Sequence, residues 1–113
     1  MAKEGLVPRP AKKSEYELRF ATAGAQKGWC DLVATMRNAM ADTWDFLTTT
    51  PATRTPTNYP LRDKLGTIHR GGKTYERWQH KPTLKGTARI WFYIEGRTVY
   101  LEQVHTSHPN ETK

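Results

Sequence analysis

The chain has 113 residues, enough for one domain with a real core and too few for two. Its hydrophobic content of 36%, with four Trp, five Tyr and three Phe, excludes a disordered chain, and its single cysteine excludes an internal disulfide. The net charge of +7 is uneven: residues 1–60 carry 8 Lys/Arg against 6 Asp/Glu, whereas residues 61–113 carry 10 against 5 and all four histidines. Basic charge interleaved with Trp and Tyr favours nucleic acid as a partner, and an acidic protein would be drawn to the same surface. The start, Met1 to Gly5, has no apolar signal-peptide core, and the longest apolar run is Ile90 to Ile94. The expectation is a cytoplasmic protein that does not touch a membrane.

Residues 1–13, with two Pro and four Lys/Arg, read as a flexible basic arm ahead of a single domain over 14–113. Tyr16-Glu17-Leu18-Arg19-Phe20 alternates as a short strand, and Thr22 is placed to cap a helix. Trp29, Leu32, Val33 and Met36 share one helical face, and Met40, Trp44 and Leu47 continue the spacing. Asn38 is the expected break, making a helical hairpin; one long helix is the alternative. Trp29, Met36 and Trp44 are expected to pack in the core, and Cys30 to be a small buried residue. Residues 51–60 hold three prolines and are expected to be a loop.

A short strand over Gly66-Thr67-Ile68-His69-Arg70, a Gly71-Gly72 turn and a strand over Tyr75 to Lys81 follow. Arg89-Ile90-Trp91-Phe92-Tyr93-Ile94, a Glu95-Gly96 turn and Arg97-Thr98-Val99-Tyr100-Leu101 make a hairpin of aromatic and β-branched strands. The expected fold is α+β: a helical hairpin on one face of a small, twisted, mostly antiparallel four-stranded sheet, ordered β-α-α-β-β-β.

Strand periodicity puts Ile90, Phe92 and Ile94 toward the helices and leaves Arg89, Trp91 and Tyr93 on the open face. Arg77, Gln79 and Lys81 share a face of the preceding strand, opposite Trp78 and His80. The open side is therefore expected to gather Arg77, Lys81 and Arg89, whose charge suits phosphate and a phosphorane-like transition state. Arg89 is expected to be exposed. His105 and His108, three apart after the last strand, are candidates to move protons between a ribose 2′-hydroxyl and a leaving 5′-oxygen. Solubilising charges and a pair of surface histidines would look the same in sequence. His105-x-x-His108 lacks a third metal ligand nearby, and Gly71-Gly72-Lys73-Thr74 is not a P-loop, because position 67 is Thr where that motif has Gly. Neither a metal nor a cofactor is expected.

The ordered set Tyr16 to Phe20, the helical pair, Tyr59-Pro60-Leu61-Arg62-Asp63-Lys64-Leu65-Gly66, Glu76-Arg77-Trp78-Gln79-His80, Gly86-Thr87-Ala88-Arg89-Ile90-Trp91-Phe92 and His105-Thr106-Ser107-His108-Pro109 resembles the RelE/ParE superfamily of type II toxins, most of all RelE-like toxins of actinobacterial type. The resemblance covers most of residues 15–113. It implies a metal-independent endoribonuclease that cleaves mRNA in the ribosomal A site, leaving a 2′,3′-cyclic phosphate, and that is held by a cognate antitoxin. It implies Arg89, Arg77, His105 and His108 as catalytic residues. It places Gln79, Lys81, Trp91, Tyr93, Arg62 and Lys113 against RNA. The chain departs from the family in lacking the paired lysines of the middle strand and the common terminal Tyr. A ParE-like gyrase inhibitor and a non-catalytic basic interaction module are the alternatives.

Overall fold

Regular structure begins at β1 (Glu17–Phe20) in the computed structural model, which describes residues 5–107. Thr22 then caps α1 (Ala23–Thr35) as its position suggests, its hydroxyl accepting from the Ala25 amide at 3.0 Å. That hydroxyl also donates to the Glu102 carbonyl at 2.9 Å, pinning the helix start to the last strand. Helix α2 (Arg37–Thr49) follows with one residue between, so the break lies at Met36 and not at Asn38. Met36 turns the chain with φ −146 and ψ 60 while its amide still donates to Leu32. No Gly or Pro marks that turn, which is why composition misplaces it.

The remaining elements are β2 (Asn58–Pro60), a 3₁₀ turn over Asp63–Gly66, β3 (Thr67–Arg70), β4 (Lys73–Glu76), β5 (Trp78–His80), β6 (Arg89–Glu95) and β7 (Thr98–His105). Two helices pack on one face of a mixed sheet, so the α+β expectation holds, but the sheet is not four-stranded. Five strands run in the order β1-β7-β6-β5-β2, with β1 parallel to β7 and the other pairs antiparallel. β3 and β4 form a separate two-stranded sheet around the Gly71-Gly72 turn, where both glycines take positive φ.

Two causes account for the difference. Asn58–Pro60 lies in the proline-rich segment, yet it pairs with β5 at the edge of the sheet, where a strand tolerates Pro. The strand expected from Tyr75 to Lys81 is cut at Arg77, whose amide turns away to the Gly66 carbonyl at 3.0 Å. Residues before the cut pair with β3 and residues after it pair with β6.

The core lies between helices and sheet and contains Leu32, Met40, Leu47, Trp78, Ile90, Phe92, Val99, Leu101 and Val104. Trp78 and Phe92 stack at 6.1 Å, as the periodicity of their strands requires. Gly28 lets α1 approach β7 closely: a Cβ there would stand 2.2 Å from the Val104 carbonyl oxygen. Trp29 and Met36 pack on the core but are only partly buried, as is Trp44, and Cys30 is exposed instead of buried.

One corner of the interior is polar. Asn58, fully buried, donates through Nδ2 to the Pro51 and Thr53 carbonyls at 2.9 Å each. Its Oδ1 therefore faces His80 Nδ1 at 3.1 Å as an acceptor, which places the imidazole proton on Nδ1. Nε2 then accepts from the Thr43 hydroxyl at 3.4 Å, and Phe46 stacks on the ring at 5.2 Å. Burial lowers the His80 pKa from 6.5 to about 4, so the ring is neutral near pH 7.

Candidate nucleic-acid interface

The sheet face away from the helices is built by the alternation of β5, β6 and β7, with one irregularity. The β6–β7 register shifts between Trp91 and Phe92, which pair with Gln103 and Leu101. The unpaired Glu102 is the bulge, and Leu101 and Val104 both remain in the core. Glu102 is consequently free to reach across the outer side.

A chain of contacts crosses that side. Lys81 Nζ lies 5.4 Å from the Tyr59 ring, and the Tyr59 hydroxyl accepts from Gln79 Nε2 at 2.9 Å. Gln79 Oε1 accepts from the Trp91 indole N–H at 2.9 Å. The Arg77 guanidinium lies over the Trp91 ring at 5.3 Å, and His105 meets the same indole edge-on at 5.1 Å. His105 Nε2 is 2.8 Å from Gln103 Oε1, an acceptor, so Nε2 carries the proton in this contact. One indole thus holds a cation and a group able to transfer protons. Beyond Trp91, Tyr93 stacks between Tyr75 and Tyr100.

Arg77, Gln79, Lys81, Trp91, Tyr93 and His105 are therefore gathered on one side. Gln79, Trp91 and Tyr93 are buried there instead of open to solvent as expected, because they pack against one another and their neighbours. Arg77, however, is already engaged. Its Nε and Nη2 bind the two Glu102 carboxylate oxygens at 2.8 and 2.9 Å, and its Nη1 donates to the Leu65 carbonyl at 3.2 Å. Glu102 is buried, and Arg70 approaches it at 3.8 Å as a second, longer partner.

Arg89 departs from its expected place. It is 7% exposed, and its Nη1 donates to the Gly86 and Ala88 carbonyls at 2.9 and 2.8 Å. Its Nε is buried with no hydrogen-bond partner among the described residues. The expected open phosphate clamp is a guanidinium folded back on the connection that precedes its own strand. Arg62 is exposed in extended backbone just before the 3₁₀ turn. His108 and Lys113 lie outside the described residues.

Tyr59, Glu102 and Gln103 were not foreseen as parts of this surface. Tyr59 sits in the proline-rich stretch that reads as loop. Glu102 reaches Arg77 only because of the bulge, which no residue type in Leu101-Glu102-Gln103 announces. A signal was present nonetheless, since a lone acid inside a strand of a basic region calls for a cationic partner.

Among the described residues no three His, Cys, Asp or Glu side chains converge as metal ligands, and no helix is long and apolar enough to cross a membrane. Comparison with family models, curated proteins and solved structures found no match to this chain.

Proposed function

We propose that this chain is the toxin of a type II toxin–antitoxin pair, a RelE-like endoribonuclease that cleaves mRNA on the ribosome and so inhibits translation. The observation that carries the reading is the Trp91 cluster, where a buried indole holds the half-buried Arg77 and His105 side by side on the face that also carries Lys81. Trp91 and Tyr93 are too buried to stack on bases and instead brace the face. What it offers RNA is the half-buried His105, Lys81 and Tyr59, with Lys81 attracting the backbone. The helical pair inserted between the first strand and the rest of the sheet fits the same resemblance.

In this reading His105 exchanges a proton with the reacting ribose or its leaving group. The 2′-hydroxyl loses its proton and its oxygen bonds to phosphorus, the P–O5′ bond breaks, and the departing oxygen gains a proton. The product is a 2′,3′-cyclic phosphate. His108 is assigned the second proton transfer. Lys81 supplies charge to the phosphate, while Arg77, held by Glu102, acts as a positioning residue for Trp91. Arg89 shapes the Gly86–Ala88 connection and is withdrawn from phosphate contact. The partner is an acidic or amphipathic antitoxin that covers the basic face.

The saturation of Arg77 and the burial of Arg89 favour a second reading, a ParE-like toxin that uses this face to bind gyrase without cleaving RNA. A programmed ribosome carrying a defined mRNA, with 5′ ends mapped by primer extension, separates the two. Cleavage confined to the A site, and reduced ~10²-fold or more in His105→Ala, is the expected result. Intact mRNA in the presence of folded protein refutes the nuclease, and loss of gyrase supercoiling activity would then establish the second reading.

A further inference from the structure

Away from the Trp91 cluster, a cleft of about 380 Å³ opens between the β3–β4 hairpin and the outer side of β6 and β7. Its aromatic wall is the tyrosine column, with Tyr75 on Tyr93 at 4.8 Å and Tyr93 on Tyr100 at 5.2 Å. Tyr93 is enclosed between its neighbours, whereas Tyr75 and Tyr100 are half-buried rings at the two ends. The hairpin contributes two cations, Arg70 and Lys73, whose side chains are 42% and 68% exposed. Glu95 completes the lining.

Glu95 Oε2 accepts from the Tyr75 hydroxyl at 2.8 Å and from Lys73 Nζ at 3.3 Å. Oε1 has no hydrogen bond among the described residues and is open to a further donor. The Tyr75 and Lys73 bonds hold the Glu95 carboxyl below the usual carboxylate range, so it is an acceptor at neutral pH. The same Tyr75–Glu95 bond pushes the Tyr75 hydroxyl up to about 12, keeping that ring neutral.

We propose that this cleft binds a ribonucleoside 5′-phosphate, its base stacked on an end of the tyrosine column, its phosphate on Arg70 and Lys73, and its 2′-hydroxyl donating to Glu95 Oε1. Each part of the ligand answers one part of the lining. Rings offer a π-face to any base, and exposed cations draw the phosphate. Cations and rings alone would accept any aromatic anion. The carboxylate adds the demand for a hydroxyl donor, which ribose meets and an inorganic anion does not. This ligand occurs both as a free nucleotide and as one residue of an RNA strand, and its binding does not depend on the cleavage proposed above.

Isotope-labelled full-length protein, titrated with AMP, adenosine, 2′-deoxy-AMP and a tetraribonucleotide and followed by NMR, tests the site without a ribosome. Expected are shifts centred on Gly71, Tyr75, Tyr93 and Tyr100, with binding weakened about tenfold when either the phosphate or the 2′-hydroxyl is absent. Lys73→Ala, at a largely exposed position, should bind AMP about fivefold more weakly with an otherwise unchanged spectrum. Tighter binding of the tetranucleotide than of AMP assigns an RNA residue as the natural occupant, and equal binding assigns a free nucleotide. Equal affinity for AMP and adenosine, equal affinity for AMP and 2′-deoxy-AMP, or wild-type binding by Lys73→Ala overturns the proposal. So do unshifted tyrosines, including the case where shifts fall on Trp91 and His105, which would leave the nuclease reading standing alone.

Discussion

Acidification should begin to destabilise this protein through a buried histidine above the range in which its carboxylates titrate. His80 is 5% exposed, and its pKa falls from 6.5 to about 4 because burial disfavours the cation. Its Nδ1–H is committed to Asn58, and the Thr43 hydroxyl at Nε2 can turn to accept, so what opposes a second ring proton is the loss of water around the cation. The unfolded chain takes up a proton at about pH 6.5 that the folded chain refuses until about pH 4. The stabilisation is therefore complete above pH 6.5, declines through that interval and is gone below it. At 1.36 kcal/mol per unit the loss is ~3 kcal/mol, or a fall in Tm of roughly 10–20 °C for a domain of this size.

Urea unfolding of the wild type and of His80→Gln at pH 7.5, 5.5 and 4.0 measures this loss. Glu15 and Glu95, whose carboxyls are also held low, lose their contributions at lower pH in both proteins and cancel in the comparison. The wild type should lose ~3 kcal/mol more than the variant over the interval. Parallel pH profiles would refute the reasoning and mean that the corner opens to water when His80 is charged.

The close approach of α1 to β7 predicts that Gly28→Ala destabilises by about 1–3 kcal/mol, despite the better helix propensity of Ala. Chemical denaturation reads this directly, and an unchanged midpoint would show that the helix can shift off Val104 without loss. Arg89→Ala should lower Tm, because the Gly86 and Ala88 carbonyls lose their donor at about 1–3 kcal/mol and a buried side chain is removed. A wild-type melting curve would instead return Arg89 to the exposed role expected from strand alternation.

Where one physical rule governs a segment, sequence shows the structure well. Alternation assigned Ile90 and Phe92 to the core and Trp91 and Tyr93 to the other side, and Thr22 announced its helix through an ordinary cap. The Gly71-Gly72 turn lies where it was expected because its φ values demand glycine. Long-range choices are harder to see. Nothing local sends Asn58–Pro60 to β5 or detaches Arg77 from its neighbours, since the partners decide both. The site shares this limit: alternation gathered the residues, but the bulge at Glu102 and the backward fold of Arg89 determined which charges remain available.

The parallel pairing of β1 with β7 also governs when this protein can exist during its own synthesis. The Thr22 hydroxyl finds its Glu102 carbonyl 80 positions later, and Glu17 to Phe20 find Thr98 to Leu101 over a similar span. At 5–20 residues per second, translation leaves β1 and α1 waiting roughly 4–16 s for their partner strand. During that wait Leu18 and Leu32 have no sheet to cover, and any chain stopped short of residue 98 lacks the strand on which both elements rest. Synthesis therefore yields the whole domain or an open chain fit only for chaperones and proteases.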